Sequence, residues 1–431
     1  MTFRERLTQG ILLFDGAMGT MIIAQNLPDA DYDGHPGCSE ILNVTRPDVI
    51  RSIHEQYLDA GSDVIETNSF GSNEIVFAEY GIPERAREIS RTAAQLARGC
   101  ADRYATPEKP RYVAGSVGPG TKLISLGQTD WAAMHHSYCE QMRGLIEGGV
   151  DCILIETCQD MLQIKCALAA ANDLMAETGE DVPLIVSVTV ETNGTLLLGS
   201  ELAAVIAVLE PYDICALGIN CATGPFDMKP YVRQISRSWK GELLVQPNAG
   251  LPRNIEGHLE YTLTADEYVN VMRSFIVEDG VRIVGGCCGT TPGFIRALSA
   301  AIIPLTVASR TVEFSPSIAS LFSAQTLHQD PAPFFIGERT NTNGSKLFRD
   351  ALLAENWEMV LDIACGQVIS GAHALDLCVA YTGRNEVRDM REAVRRFATQ
   401  ITLPLVIDST DIAVMEAALA LYGGRAVINS A

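Results

Sequence analysis

Two adjacent cysteines after an apolar run carry the most distinctive chemistry in the sequence. They lie in the segment VGGCCG at 284–289, and a third cysteine ends the segment GINC at 218–221 after another apolar run. Thiolates are good zinc ligands, and a catalytic zinc site uses three protein ligands and keeps one position open for substrate. We therefore interpret Cys221, Cys287 and Cys288 as the ligands of one zinc ion.

Three other interpretations of these cysteines remain open. Cys287 and Cys288 could be a buried structural pair, or they could form a strained vicinal disulfide. A closed zinc site in a non-catalytic protein would need a fourth ligand, for which Cys158 and Cys215 are the candidates. Such a closed site would stabilise the fold and would leave no coordination position for a substrate.

A zinc ion held by three thiolates is suited to binding a fourth thiol. Three thiolates outweigh the charge of the ion, so the site is a poor activator of water. Metal binding favours the deprotonated thiol, which remains nucleophilic. The expected chemistry is alkylation of a thiol substrate, and Asn248, between the cysteine segments, is a candidate for the open position.

Acidic residues follow several of the same apolar runs. Carboxylates at Asp15, Glu66 and Glu156 suit a substrate ammonium group, and the loop at 16–20 offers backbone N–H groups to a substrate carboxylate. An amino acid with a thiol side chain has an ammonium group for the carboxylates, a carboxylate for the backbone amides and a sulfur atom for the zinc. The candidate substrate contacts are Asp15, Gly16, Thr20, Glu66, Thr67, Glu156 and Asn248.

Eight short apolar runs alternate with longer helical patterns through the first 304 residues. The runs lie near residues 11–14, 63–68, 112–119, 151–157, 184–189, 214–221, 243–248 and 281–286. Near-continuous apolar runs indicate strands buried on both faces of a parallel sheet. Eight strand–helix units predict a (β/α)8 TIM barrel of the α/β class, whose catalytic groups gather at the carboxyl ends of the strands. A doubly wound open sheet is the alternative.

A second series of units follows a Ser- and Pro-rich connection. The predicted division is a barrel over 1–304, a linker over 305–332 and an incomplete second barrel over 333–431. The second series has four predicted strands near residues 334–338, 374–377, 403–408 and 426–429. Four units cannot close a barrel, so we expect the sequence to be part of a longer chain.

The overall composition excludes some classes of function. The chain has 431 residues and a net charge of −21, which disfavours nucleic acid as a partner. No apolar run approaches the roughly 20 residues of a membrane span, so no membrane contact is predicted. Twelve cysteines without an export signal predict reduced thiols and a cytoplasmic location.

Four motifs together resemble the homocysteine S-methyltransferase domain. They are DGAMGT at 15–20, ETN at 66–68, GINC at 218–221 and GGCCG at 285–289. The resemblance implies a zinc-dependent barrel that transfers a methyl group to homocysteine and makes methionine. It also implies Cys221, Cys287 and Cys288 as the zinc ligands.

The second series resembles the pterin-binding barrel of cobalamin-dependent methionine synthases. The motifs are IGERTN at 336–341, ALD at 374–376 and IDS at 407–409. The resemblance implies methylcobalamin, on another domain or protein, as methyl donor and 5-methyltetrahydrofolate as the source that recharges it. The implied pterin contacts are Glu338, Asn341, Asp376, Asp408 and Asn429.

One position of the second series departs from this family. Cys378 follows Asp376 and Leu377 where the family usually has an asparagine. With this substitution and an incomplete barrel, we expect methyl transfer from free methylcobalamin and little from folate. A barrel that takes its methyl group from S-methylmethionine or a betaine is the alternative, but such an enzyme needs no pterin module.

Overall fold

The first part of the chain forms a parallel barrel. The structure, a computed structural model, describes residues 1–255 and 258–430. Its first ten strands are β1 (Leu12–Leu13), β2 (Val64–Glu66), β3 (Tyr112–Val117), β4 (Cys152–Cys158), β5 (Leu184–Val188), β6 (Ala216–Asn220), β7 (Glu242–Gln246), β8 (Pro252–Ile255), β9 (His258–Tyr261) and β10 (Ile283–Val284). Strands β8 and β9 form an antiparallel hairpin, and the other eight form one parallel sheet in the order β1-β10-β7-β6-β5-β4-β3-β2. The predicted α/β barrel is confirmed.

A helix follows each of the eight barrel strands, with four further short helices. The twelve helices are α1 (Phe3–Leu7), α2 (Met18–Ile23), α3 (Leu42–Thr45), α4 (Pro47–Ala60), α5 (Glu74–Glu79), α6 (Ala86–Tyr104), α7 (Trp131–Glu147), α8 (Met161–Thr178), α9 (Leu202–Leu209), α10 (Pro225–Ser238), α11 (Ala265–Val277) and α12 (Pro292–Ile302). A capping box begins α11, where the Thr264 hydroxyl accepts from the Glu267 amide and the Glu267 carboxylate accepts from the Thr264 amide. No helix within residues 1–255 and 258–430 has the length and apolar character needed to cross a membrane.

A carboxylate closes the seam between the first two strands. Among the described residues β1 and β2 share no ladder. Instead, the amide of Asp63 donates to the Leu13 carbonyl at 2.7 Å, and the Leu13 amide donates to the Asp63 carboxylate at 3.1 Å. Arg6 pairs with the same carboxylate at 3.3 Å. Hydrogen bonds of Asp63 therefore join the chain at β1 to the start of β2 where no ladder is formed.

The amino-terminal helix α1 covers the end of the barrel that is remote from the cysteines. Phe3 and Leu7 are buried in one cluster with Leu12, Phe14 and inward side chains of the other strands. The barrel is thus filled and closed at that end, as is usual for this fold. Only the carboxyl ends of the strands remain available for a site.

A buried histidine in α4 makes the stability of the barrel sensitive to acid. Both ring nitrogens of His54 lack a hydrogen-bond partner among the described residues, and burial lowers the pKa of His54 to about 4. The unfolded chain, with a His pKa near 6.5, therefore binds more protons between pH 6.5 and 4. The free energy of unfolding falls as pH falls through this window, by up to about 3 kcal/mol from this group.

His54→Leu is therefore expected to flatten the acid limb of the stability curve. Urea unfolding at pH 7.5, 6 and 5 measures the effect, and the data at pH 7.5 isolate the change in packing from the change in protonation. Equal losses of stability from pH 7.5 to 5 in variant and wild type would contradict this role for His54.

The second part of the chain forms four parallel strands in sequence order. The elements after residue 302 are β11 (Ser317–Ala319), β12 (Ala324–Thr326), β13 (Ile336–Asn341), β14 (Ala374–Cys378), β15 (Leu405–Asp408) and β16 (Val427–Asn429), with helices α13 (Lys346–Leu353), α14 (Trp357–Ile369), α15 (Glu386–Gln400) and α16 (Ile412–Leu419). The order β13-β14-β15-β16 fits part of a second barrel, as predicted. Two helices, α13 and α14, connect β13 to β14, because the chain turns at Glu355 (φ 51°) and Asn356 caps α14.

The predicted linker is partly ordered structure. Strands β11 and β12 form a hairpin within 305–332, and Ile318 packs against Ala374 and Val406 of the second sheet. The predicted boundaries of the three segments stay predictions, and residue 431 lies outside the described residues.

Two basic side chains join the second sheet to the first barrel. Lys165 of α8 donates to the carbonyls of Tyr422 and Gly424 at 2.7 and 3.1 Å. Arg425 pairs with Glu210 at the end of α9 at 3.0 Å. Burial lowers the pKa of Lys165 to about 8, and the two carbonyls supply acceptors for its buried amine.

Candidate metal centre and substrate pocket

The three predicted zinc ligands meet at the carboxyl ends of β6 and β10. The Sγ atoms of Cys221, Cys287 and Cys288 all lie within 4.8 Å of one another, and those of Cys221 and Cys288 are 3.9 Å apart. Two sulfurs on one tetrahedral zinc, each at about 2.3 Å, are separated by about 3.8 Å. The cluster therefore has dimensions that fit a zinc ion.

Backbone contacts hold the cysteine pair against the neighbouring strand end. The Cys287 amide donates to the Pro247 carbonyl at 2.8 Å, and the Ala249 amide donates to the Cys288 carbonyl at 2.9 Å. Gly286 has no space for a side chain, since a Cβ there would lie 2.4 Å from the Thr290 hydroxyl. The segment after β10 is thus fixed along its whole length.

The third cysteine lies in an unusual backbone conformation. Cys221 and Ala222 have φ angles of 62° and 54°, in the left-handed region that costs a non-glycine residue about 1–3 kcal/mol. The Cys221 amide donates to the Gln246 carbonyl at 3.2 Å, which ties this turn to β7. The left-handed turn lets β6 end beside the cysteine pair that follows β10.

The cysteine cluster concentrates negative charge on one sulfur. Hydrogen bonds from Cys221 and Cys287 lower the pKa of Cys288 to about 3. Hydrogen bonding to Cys221 and Cys288, with burial, holds the pKa of Cys287 well above its usual range. Full deprotonation of all three therefore requires a cation in the cluster, which is what a zinc ion supplies.

The alternative fourth sulfur ligands lie elsewhere. Cys215 precedes β6 at its opposite end, and its Sγ donates to the Leu184 carbonyl at 3.0 Å. The Cys158 Sγ donates to the Glu156 carbonyl at 3.5 Å. Across residues 1–255 and 258–430, only Cys221, Cys287 and Cys288 form a group of potential metal ligands.

Asn248 lies close behind the cysteines. It is buried, and its Oδ1 atom has no hydrogen-bond partner among the described residues. Its backbone amide donates to the Thr223 carbonyl at 3.1 Å, just after Cys221. An unpartnered buried carbonyl oxygen fits a role towards a cation or substrate, and that role stays a prediction.

Five of the seven predicted substrate contacts line one cavity of about 290 Å3, whereas Asp15 and Asn248 are not in its lining. Cys221, Cys287 and Cys288 form one wall, and the loop at 16–20 forms another. The lining also includes Glu66, Thr67 and Glu156. Asp15 lies behind this lining and is buried. The structure therefore brings nearly all the predicted residues together.

The three carboxylates of the pocket lie in a strongly desolvated environment. Burial raises the pKa of Glu156 to about 7 and raises the pKa of Asp15 and Glu66 well above their usual ranges. The nearby charges of Glu156 and Asp15 add to the shift at Glu66. Buried acids that repel one another create a site where a cationic group binds favourably.

Neutral side chains hold each carboxylate in place. Ser116 donates to Glu156 at 2.5 Å, and Gln246 donates to Glu66 at 2.5 Å. Asp15 accepts from the Glu66 amide at 3.1 Å through Oδ2, while its Oδ1 has no partner among the described residues. The carboxylates are therefore oriented before substrate arrives.

Asn220 links the carboxylate wall to the cysteine wall. Its side chain donates to the Glu156 carboxylate at 3.2 Å and to the Thr157 hydroxyl at 2.8 Å, and accepts from the Thr157 amide at 3.0 Å and the Ser187 hydroxyl at 2.8 Å. Because Cys221 is the next residue, this network couples the position of a predicted zinc ligand to that of the pocket acid.

The loop at 16–20 is only partly free to bind substrate. The Ala17 amide donates to the Thr290 carbonyl at 3.2 Å, and the Thr20 hydroxyl accepts from the Gly289 amide at 3.0 Å. The amides of Met18 and Gly19 lie in the first turn of α2, where no intrahelical acceptor exists for them. The prediction of amide donors for a substrate carboxylate rests on these two residues.

Sequence reasoning missed Tyr261 and Phe70. The Tyr261 ring lies on Gly289, where an added Cβ would be 2.4 Å from the ring, and its hydroxyl hydrogen-bonds Cys288. Phe70 lines the pocket and is 42% exposed. Neither residue stands directly at the end of one of the eight strands that the sequence predicted, so the sequence carried no signal for them.

The predicted pterin contacts form a second polar cluster. The Asn341 amide donates to Asp376 at 2.7 Å and to Asp408 at 3.2 Å. Burial raises the pKa of Asp376, and the charges of Asp408 and Glu338 add to this shift. Asn429 is exposed and stands opposite Asp408 in the register of β15 and β16. A role for these residues in binding pterin stays a prediction.

Two different protein families match the first barrel and the second sheet of the chain. The homocysteine S-methyltransferase family model matches residues 12–302, and the pterin binding enzyme model matches residues 337–431. The chain is 46% identical over 424 residues to methionine synthase of Mycobacterium tuberculosis (strain ATCC 25618 / H37Rv), which covers 98% of this chain and 36% of that protein. It is also 46% identical over 431 residues to methionine synthase of Mycobacterium leprae (strain TN), which covers 99% of this chain and 36% of that protein.

A solved structure matches the barrel. The metallated form of the homocysteine methyltransferase MmuM from Escherichia coli superposes with a TM-score of 0.55 at 26% sequence identity. The match covers 68% of this chain and 96% of that protein.

Proposed function

Because the chain belongs to the homocysteine S-methyltransferase family, we propose that it transfers a methyl group to the thiol of homocysteine and forms methionine. The observation that carries this proposal is the single pocket, in which three thiols face a set of buried carboxylates. Homocysteine is an amino acid with a terminal thiol, so one molecule can engage both walls. The product forms when the thiolate sulfur bonds to the methyl carbon and the donor leaves.

The thiol end of the substrate is assigned to the cysteine wall. Cys221, Cys287 and Cys288 would hold the zinc ion, and Tyr261 donates a hydrogen bond to the Cys288 sulfur. Zinc bound there supplies the positive charge that lowers the pKa of a substrate thiol and leaves it nucleophilic. No general base on the protein is then needed during transfer.

The amino-acid end of the substrate is assigned to the acidic wall. Glu66 and Glu156 line the cavity and accept the substrate ammonium group, while Asp15 adds negative charge from behind. The amides of Met18 and Gly19, two residues that line the same pocket, are assigned to the substrate carboxylate. These contacts orient the substrate so that its sulfur faces the cysteines, which reduces the entropic cost of reaction.

The methyl donor is proposed from the second part of the chain. The chain spans 36% of the length of its methionine synthase relatives, so the activity of a whole protein of that kind is a proposal here. We propose methylcobalamin as the donor, carried on another domain or protein and recharged by 5-methyltetrahydrofolate at the second sheet. The cluster of Asn341, Asp376 and Asp408 supports a pterin site there. The reduced thiols of the site fit the proposed cytoplasmic location.

A donor of low molecular mass is the second candidate. The barrel alone matches MmuM over 96% of that protein, and a barrel that takes methyl from S-methylmethionine or a betaine has no use for a pterin module. A donor assay with the zinc-loaded chain and homocysteine separates the candidates. Faster methionine formation from S-methylmethionine or a betaine than from methylcobalamin would favour the second candidate.

Homocysteine titration of the zinc-loaded chain tests the thiol assignment. X-ray absorption at the zinc edge is expected to show the sulfur neighbours of zinc rising from three to four, saturating with one homocysteine per chain. Methionine and homoserine, which lack a thiol, serve as controls and are expected to leave the sulfur count at three. A sulfur count that stays at three with saturating homocysteine would overturn the assignment.

A further inference from the structure

The loop after β13 folds back on the end of its own strand. The Asn341 side-chain oxygen accepts from the amides of Asn343 and Gly344, at 2.8 and 3.3 Å. The side-chain amide of Asn341 meanwhile donates to Asp376 and Asp408. One residue therefore fixes the loop and the two carboxylates with respect to each other.

This turn brings a second asparagine to Cys378. The Asn343 side-chain nitrogen lies 3.9 Å from the Cys378 sulfur, and Asn341 pairs with Cys378 in the register of β13 and β14. Thr342 fixes the other side of the loop, because its hydroxyl donates to the Ala380 carbonyl at 2.7 Å. Asn343 is thus held over the end of the neighbouring strand.

Cys378 lies on the face of the sheet that carries the two aspartates. Side chains alternate along a strand, so Asp376 and Cys378 share one face of β14 while Leu375 and Leu377 pack on the other. On this face of β14, Cys378 offers a thiol and no side-chain amide beside the two aspartates. The loop after β13 places the side-chain amide of Asn343 there instead.

We propose that Asn343 supplies the amide that Cys378 cannot, and that it binds the reduced pterin of 5-methyltetrahydrofolate together with Asp376 and Asp408. This inference rests on the proposed use of the second sheet as the folate site. It assigns a binding role to a residue that no motif of the sequence indicated.

The chemistry of the pterin edge explains why an amide is needed. The edge presents a ring N–H and an amino group as donors beside a carbonyl oxygen as acceptor. Carboxylates accept from the donors, whereas an asparagine side chain can both donate and accept. A thiol is only a weak hydrogen-bond donor and acceptor, and burial raises the pKa of Cys378, which keeps it neutral. Asn343 restores the missing donor without a change in β14.

A double-mutant cycle on the full 431-residue chain tests the inference. Binding of 5-methyltetrahydrofolate is measured by equilibrium dialysis for the wild type, Asn343→Ala, Cys378→Asn and the double variant. Asn343→Ala is expected to weaken binding about tenfold, as expected for one lost hydrogen bond. The double variant is expected to bind within about threefold of the wild type, because its new asparagine takes over the contact.

Further variants separate the amide from the shape of the side chain. Asn343→Asp has the same shape but lacks the donor and adds negative charge beside Asp376 and Asp408, so it is expected to bind at least as weakly as Asn343→Ala. Thermal melting and homocysteine affinity, which report on the fold and the first barrel, are expected to stay at wild-type values in each variant.

Each other outcome overturns the inference in a distinguishable way. Unchanged folate affinity in Asn343→Ala would overturn the role of Asn343 alone. Weaker binding that Cys378→Asn does not restore would show that Asn343 does not substitute for the missing asparagine. Absence of folate binding by the wild type would overturn both this inference and the proposed folate site, while leaving methyl transfer in the first barrel untouched.

Discussion

Cys221→Ala is expected to remove zinc and methyl transfer together. A tetrahedral zinc site has a binding free energy of about 10–16 kcal/mol, so the loss of one of its ligands costs about 3 kcal/mol, or more than a hundredfold in affinity. The Cys221 Sγ is 3.9 Å from that of Cys288, so no other described sulfur can take its place without a backbone shift. Metal analysis after dialysis, with an assay of methionine formation, measures both losses.

Cys215→Ala is the matched control for this substitution. Cys215 lies at the opposite end of β6, and its sulfur donates a hydrogen bond to a backbone carbonyl of β5. Zinc content and activity are expected to stay at wild-type values in this control. Full zinc stoichiometry in Cys221→Ala would show that Cys221 is not a ligand, and loss of zinc in both variants would point to a general loss of folding.

Glu156→Gln is expected to stabilise the substrate-free protein while it weakens homocysteine binding. Burial raises the pKa of Glu156 to about 7, so its charged form opposes folding at pH 8. An isosteric neutral side chain removes this cost and is expected to raise the free energy of unfolding by about 1–3 kcal/mol. The gain is largest above pH 7, shrinks as pH falls towards 4.5, and is lost below pH 4.5, where Glu156 is protonated in both the folded and the unfolded state.

The same substitution removes a charge that the substrate ammonium group needs. Loss of one partner of a buried ion pair costs about 2–5 kcal/mol, so homocysteine affinity is expected to fall about a hundredfold. Isothermal titration with homocysteine measures the affinity, and urea unfolding at pH 8 and 5 measures the stability. Opposite signs for the two effects would mark Glu156 as a residue whose burial serves binding at the expense of stability.

Glu177→Gln provides the control for Glu156→Gln. Glu177 is an exposed carboxylate on α8 that pairs with Arg143 at the surface. Its substitution is expected to leave homocysteine affinity unchanged and stability nearly so, because exposed ion pairs contribute little. An unchanged homocysteine affinity in Glu156→Gln would place the ammonium group away from this carboxylate.

The sequence by itself determined which residues are candidates for the site. Near-continuous apolar runs require a parallel sheet, and a barrel brings the ends of such strands to one rim. Residues as distant as Asp15 and Cys288 were therefore predicted to converge, and both lie at the same end of the barrel beside one pocket. The second sheet was predicted in the same way, since its four apolar runs also alternate with helices.

Only the tertiary structure decided how these residues are held. Three contacts join elements that are separate along the chain. They are the Asp63 carboxylate at the barrel seam, the Tyr261 ring on Gly289 and the Asn343 amide over Cys378. Periodicity reports which face a residue presents along its own strand or helix, and it carries no information on what a loop places above that face. The sequence thus predicted the candidate ligands and acids, whereas packing between loops defined their hydrogen-bond partners, because those contacts depend on three-dimensional proximity and not on spacing along the chain.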